Sequence, residues 1–232
     1  MITLETPLGN LQVDQDLREE ILDMAKKNSN AKTPMSVMAQ IVDEQEHSGE
    51  MQYPFSYKCI HDASIGHTNS NIKVLPIMCG NLSTKQECEY GTLLASIISR
   101  PNILTVISSD FCHWGSRFHY QPTSDGNSSS SNISQYIKQL DRDGMNLIEL
   151  QNPGGFATYL KRTRNTICGR HPIAVYLHAI NAGGGRNDDT ADASRGNTDV
   201  DIEFIMYNQS SQVQNMNDSS VSYAAAVARL KK

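Results

Sequence analysis

Several common pointers to function are missing from this chain of 232 residues. There is no cationic excess: 20 Lys and Arg stand against 25 Asp and Glu, a formal net charge of −5. Nucleic acid and anionic membrane surfaces, which attract positive charge, are therefore not expected partners. No apolar run approaches the ~20 residues that span a bilayer. "MITLETPLGN" also lacks the basic and apolar regions of a secretion signal. The expected location is the cytoplasm, with the nucleus as the other compartment. Cysteine is sparse. Cys59, Cys79, Cys88, Cys112 and Cys168 are odd in number and show no C-x-x-C spacing, which argues against a zinc finger or a disulfide framework. A phosphate loop is missing too, because "GGFATYL" and "GGGRND" follow no strand and lack the nucleotide fingerprint.

Alternating helix-period and short apolar segments are present instead. "TPLGNLQVDQDLREEILDMAKK" predicts a turn or short strand and then a helix, with Asp14 as N-cap and Leu17, Ile21, Leu22 and Ala25 on one face. "MSVMAQIVDEQEHSGEM" predicts a strand running into a polar loop. Residues 71–80 and 101–111 each predict a buried strand, and 83–100 between them predicts a helix capped by Ser83 or Thr84. Together they predict a βαβ unit in a parallel sheet. Beyond it, 133–150 reads as an amphipathic helix with Ile133, Tyr136, Ile137, Leu140 and Leu147 in one stripe. "PGGFATYLKRTR" and "HPIAVYLHAINA" read as further helices, Pro172 sitting in the first turn of the second. Residues 200–208 and 219–230 read as strands. Flexible inserts are expected near 123–132 and 183–199.

The densest chemistry lies in "SSDFCHWG", residues 108–115. Asp110 and His113 stand three apart past the carboxyl end of an apolar run, where open α/β sheets bind ligands. One reading makes them an acid/base or metal-binding pair, the carboxylate setting the tautomer of the imidazole. The other makes Asp110 a loop cap and His113 a ring packed beside Trp114. Cys168, in "NTICGRHP", precedes a helix start and adjoins Arg170 and His171. Positive helix-end potential and these neighbours favour a nucleophile or a metal-bound sulfur; the competing reading is a buried cysteine in a tight Gly169 turn. His47 and Glu50, in "DEQEHSGEM", form either a second polar wall or a solvated acidic loop. Cys112 reads as core.

"VISSDFCHWGSRFHY", "NTICGRHPIAVYLHAI", "QSSQVQNMNDSSVSYAAA" and "DEQEHSGEMQYPF" together resemble the Memo family, named for a mediator of receptor-driven cell motility. The opening "ETPLGNLQVD" fits as well, so the resemblance covers nearly the whole chain as a single domain, residues 1–232. It implies a three-layer α/β/α sandwich around a mixed sheet, like class III extradiol dioxygenases. It also implies a pocket lined by Cys168, Asp110, His113 and Arg170, with His47 close by. The family's His-Ala-Gly-Tyr and Ser-His-His motifs, which supply two further histidines, have no counterpart here. The expectation is a domain incomplete at its N-terminus with an exposed sheet edge, and a metal site reduced to Cys168.

Three functions follow as expectations. The resemblance implies a signalling and cell-motility protein that uses a dioxygenase-like pocket, without catalysis, for a protein or phosphopeptide ligand, where Arg170 or Arg117 would meet phosphate. The alternative is a copper- or iron-dependent redox enzyme, with Asp110 and His113 as catalytic residues and its metal site incomplete in this chain. The third is a truncated isoform or gene model with no activity of its own. Neither the partner nor the oligomeric state is legible.

Overall fold

The structure, a computed structural model, describes residues 2–28, 34–64, 72–123, 133–183 and 200–230. These fall into two compact units, Met1–Gly80 and Asn81–Lys232. Most of the two expected inserts, 124–132 and 184–199, lies outside the described residues.

In the first unit, β1 (Thr3–Leu4) pairs antiparallel with β2 (Leu11–Gln12). Helix α1 (Gln15–Lys27) then starts where the sequence predicts, with the Asp14 carboxylate accepting the Leu17 N–H at 3.2 Å. Ile21 is its buried anchor. The strand expected in Met35–Met51 is absent from the described residues. A short helix, α2 (Gln40–Asp43), takes its place, because Gln40 to Asp43 carries no alternating pattern and finds no strand to pair with. Helix α3 (Tyr53–Ser64) follows, Pro54 occupying its first turn.

Residues 72–80, the described part of the strand expected over 71–80, also depart from expectation. In place of a strand there is one parallel bridge, Val13 to Val74, closed by Asp14 N–H to Val74 O at 2.9 Å and Val74 N–H to Gln12 O at 2.8 Å. A ladder needs paired residues on both sides, and Pro76 removes a donor two residues on.

The second unit opens with α4 (Thr84–Ile98). Ser83 and Gln86 form a reciprocal capping box, so the sequence signal was sufficient here. Helix α7 (Arg170–Gly183) packs against α4 at very short range. Gly91 permits this: a Cβ there would lie 2.4 Å from His178 Cβ and 2.7 Å from the Val175 carbonyl. Helices α5 (Ile133–Glu149) and α6 (Pro153–Thr163) adopt the predicted spans, α6 capped by Asn152. Ile133, Ile137 and Leu140 are buried as the stripe requires.

The sheet of this unit is antiparallel, in the order β3 (His113–Trp114), β5 (Ser220–Leu230), β4 (Val200–Gln209). The two long strands match the sequence reading, with a register shift between Phe204 and Met206. The run 101–111 does not form the predicted strand, and no βαβ unit results among the described residues. Leu104 and Val106 are 88% and 61% exposed, and pairing starts only at Phe111, whose N–H donates to the Ser222 carbonyl at 2.9 Å. Apolar continuity marks a buried strand only where neighbouring strands cover it. The chain is nonetheless a mixed α/β protein, the class its sequence predicts. Its core gathers Phe111, Trp114, Ile137, Phe156, Ile167 and Leu177. Among the described residues, no helix is long and apolar enough to cross a membrane.

Candidate functional site

The segments "SSDFCHWG" and "NTICGRHP", far apart in sequence, meet in the second unit. The Asp110 N–H donates to Cys168 Sγ at 3.0 Å, and the Cys168 N–H donates to the Asp110 carbonyl at 3.3 Å. The Ser109 hydroxyl donates to the same carbonyl at 2.8 Å and accepts the Gly169 N–H at 3.0 Å. The contact is tight enough to require glycine, since a Cβ on Gly169 would lie 2.4 Å from Ser109 Cβ and 2.7 Å from the Ser108 carbonyl. Cys168 is exposed, contrary to the buried-turn reading, and stands just before the start of α7. The Ile173 N–H donates to the Gly169 carbonyl at 3.0 Å, closing that first turn.

His113 is half-buried and oriented from three sides. Its N–H donates to Thr166 Oγ1 at 2.7 Å, and the Thr166 hydroxyl donates back to the His113 carbonyl at 3.1 Å. Ring atom Nδ1 lies 3.0 Å from the Phe111 carbonyl and 3.2 Å from the Thr166 carbonyl. Both are acceptors, so Nδ1 carries a proton and Nε2 is the atom turned to Asp110. The separation from Nε2 to Asp110 Oδ2 is 3.6 Å, within ion-pair reach but beyond a hydrogen bond. The Phe118 ring meets the imidazole edge to face at 5.2 Å, and the Arg117 guanidinium covers Phe118 at 4.5 Å. Arg117 thus has an aromatic partner, while Arg170 is half-buried at the first position of α7.

Asp110, His113 and Cys168 are therefore brought together, with Arg170 two residues beyond Cys168 at the start of α7. His47 lies in the first unit, exposed on the turn after α2, where its carbonyl accepts the Met51 N–H at 3.0 Å. Beside it, Glu46 is pushed up by burial but held below the usual carboxylate range by the combined effect of the Ser48 hydroxyl, the Gly49 and Ser48 amides and His47. Cys112 is buried as expected, and burial pushes its thiol far up, with the Asp141 charge adding to the effect.

Copper or iron, which the resemblance implied, needs a convergent donor set. Among the described residues no three His, Cys, Asp or Glu side chains are grouped to hold an ion. Cys168 Sγ already accepts a backbone amide, and the Asp110 carboxylate faces His113. The described residues do not by themselves fit such a metal.

Two features escaped the sequence reading. Glu87 Oε1 accepts from His171 Nδ1 at 2.6 Å, tying α4 to the first turn of α7; Nε2 of this histidine is buried without a hydrogen-bond partner among the described residues. A spacing of 84 residues offers no local signal for this pair. The second is Asp141, fully buried on α5. Its Oδ1 accepts the Cys112 N–H at 3.2 Å and Asn165 Nδ2 at 3.0 Å, while Oδ2 accepts the Tyr207 hydroxyl at 2.9 Å. Its position beside the apolar stripe of α5 was the one available clue.

A model of the family described as Memo-like protein matches residues 1–227. Protein MEMO1 of Homo sapiens is 39% identical over 221 residues, and that of Danio rerio 38% over the same number. Each alignment takes in 95% of this chain and 65% of the relative. The memo-1 homolog of Caenorhabditis elegans is 37% identical over 222 residues, 96% of this chain and 56% of that protein. The chain thus spans about 65% of the length of the vertebrate relatives it matches.

Proposed function

The chain belongs to the Memo-like protein family, and from that premise we propose that it is a non-catalytic signalling protein of cell motility that binds a phosphorylated peptide at the Cys168 site. The observation that carries this reading is the junction of "SSDFCHWG" with the N-terminus of α7. Hydrogen bonds hold both backbones rigid there, while Cys168 stays open to solvent. Residues locked by their neighbours and still exposed suit recognition better than packing. A phosphate at this spot would meet the positive end of α7, the Arg170 guanidinium and the imidazole of His113. Asp110 would accept from the ligand's N–H groups, the ammonium of free O-phosphotyrosine among them, and, by repulsion, set where the phosphate lies.

Titration of the full chain with O-phosphotyrosine, followed by the imidazole and amide NMR signals, tests this reading. Saturable shifts at His113 and Gly169 are expected. Arg170→Ala should weaken binding about tenfold, the value of a charge-assisted hydrogen bond. No saturable shift, or unchanged affinity in the Arg170 variant, would overturn the proposal.

A further inference from the structure

Both site-bearing segments are anchored on one buried carboxyl group. We infer that Asp141 is the positioning residue that holds Asp110 and His113 in register with the Cys168 turn. Its importance for ligands rests on the reading that those three residues form the binding site. The geometry starts from the backbone of "SSDFCHWG". Phe111 N–H and the Cys112 carbonyl both pair with Ser222 of β5, at 2.9 Å each. The Cys112 N–H points to the opposite edge, where no strand runs among the described residues, and a buried amide requires an acceptor. Asp141 Oδ1 supplies it at 3.2 Å.

The same oxygen accepts Asn165 Nδ2 at 3.0 Å, and Asn165 Oδ1 accepts the Thr166 N–H at 2.8 Å. Thr166 is the residue whose hydroxyl grips both backbone atoms of His113. One atom of α5 therefore fixes the segment carrying Asp110 and His113 and the segment carrying Cys168. On the other side, Oδ2 is tied by the Tyr207 hydroxyl to β4, so the carboxyl cannot swing away from the junction. Asn165 Nδ2 also reaches the Tyr159 hydroxyl at 2.8 Å, and that hydroxyl donates to the Leu140 carbonyl at 2.7 Å. An apolar side chain at 141 would avoid the cost of burying a carboxyl group, but would leave the Cys112 amide and one Asn165 amide hydrogen without an acceptor.

Native-state amide hydrogen exchange on the full chain tests the inference without any ligand. The reporters are the amides of His113, Cys168 and Gly169, bonded to Thr166 Oγ1, the Asp110 carbonyl and Ser109 Oγ; none touches Asp141. In Asp141→Leu, which deletes the acceptor of both arms, these three should exchange about tenfold faster, the consequence of roughly 1.4 kcal/mol of lost local pairing. Amides inside α7 and the β4–β5 hairpin should change by a smaller factor. Tyr207→Phe, which removes the Tyr207 donor to Oδ2 and the hydroxyl's contacts with Ser222 and Gln209 but leaves Oδ1 intact, should leave the three reporters at wild-type rates. A uniform rise across the molecule in Asp141→Leu, or the same local pattern in Tyr207→Phe, would reduce Asp141 to a general stabiliser and overturn the inference. If Asp141→Leu does not fold, Asn165→Ala removes one arm alone: His113 and Cys168 must lose protection, and unchanged rates overturn it. Failure of the wild-type chain to bind O-phosphotyrosine would sink the binding reading but not this one, which is decided by exchange rates alone.

Discussion

Cys168 illustrates how little a residue type says without its partners. Its sulfur is an acceptor for a backbone amide 58 positions away in sequence, and it remains exposed because Gly169 lets the turn sit flat against Ser109. Gly169→Ala should therefore separate the two segments. The expected loss is about 1–3 kcal/mol, the usual cost of forcing a methyl into filled space, measured by urea unfolding. Asp110 and Cys112 make a sharper pair. Asp110 faces His113 at the surface, whereas Cys112 is wholly buried with its amide on Asp141. Asp110→Ala should weaken O-phosphotyrosine binding more than Cys112→Ala, which should act mainly on stability. Equal effects in the titration would return Asp110 to a simple loop-capping role.

Among the elements, α4 and α7 depend on Gly91 for their close approach. Gly91→Ala pits better helix propensity, worth about 1 kcal/mol, against a Cβ placed 2.4 Å from His178 Cβ. The clash involves a Cβ and a carbonyl, neither of which can rotate away, so a net fall in thermal midpoint is expected. A rise would show that the helices can slide apart freely. Ser83→Ala is simpler. Loss of the capping box should cost about 1 kcal/mol through α4 alone, read as a lower urea midpoint at unchanged slope. These helices were legible in the sequence because caps and periodicity act within a few residues. The segments 71–80 and 101–111 were misread as strands for the complementary reason. Their apolar composition is compatible with a strand, but strand formation needs partners that local sequence cannot report.

At the scale of the whole molecule, Asp141 links stability to pH. Burial pushes its carboxyl above the usual range, with hydrogen bonds from Ser222, Asn165, Tyr207 and the Cys112 amide only partly opposing that. A folded-state value above the unfolded one means that Asp141 contributes most at acid pH. Its contribution falls as pH rises from the unfolded value of about 4 through the folded value. The stability gap between wild type and Asp141→Asn, followed by urea unfolding from pH 4 upward, should thus narrow as pH increases. A gap that widens would mean the donors outweigh burial. Surface character leads to a further expectation. Leu104 and Val106 are already in solvent, so Leu104→Lys should leave the unfolding free energy within about 0.5 kcal/mol of wild type while reducing aggregation on light scattering.

The amino-acid sequence by itself determined the positions of α1, α4, α5, α6 and α7 and of the β4 and β5 strands. It also determined the mixed α/β class and the candidacy of Asp110, His113 and Cys168, each through signals carried within a few neighbouring positions. Only the tertiary structure decided that Asp110 and Cys168 would clip together, that the sheet beside them would be antiparallel, and that Asp141 would lie beneath both segments, bonded to Cys112 in one and Asn165 in the other. Those outcomes depend on hydrogen bonds between residues 24 to 58 or more positions apart. No local propensity encodes such a bond, because its partner is chosen by which buried donors the packed core leaves without an acceptor.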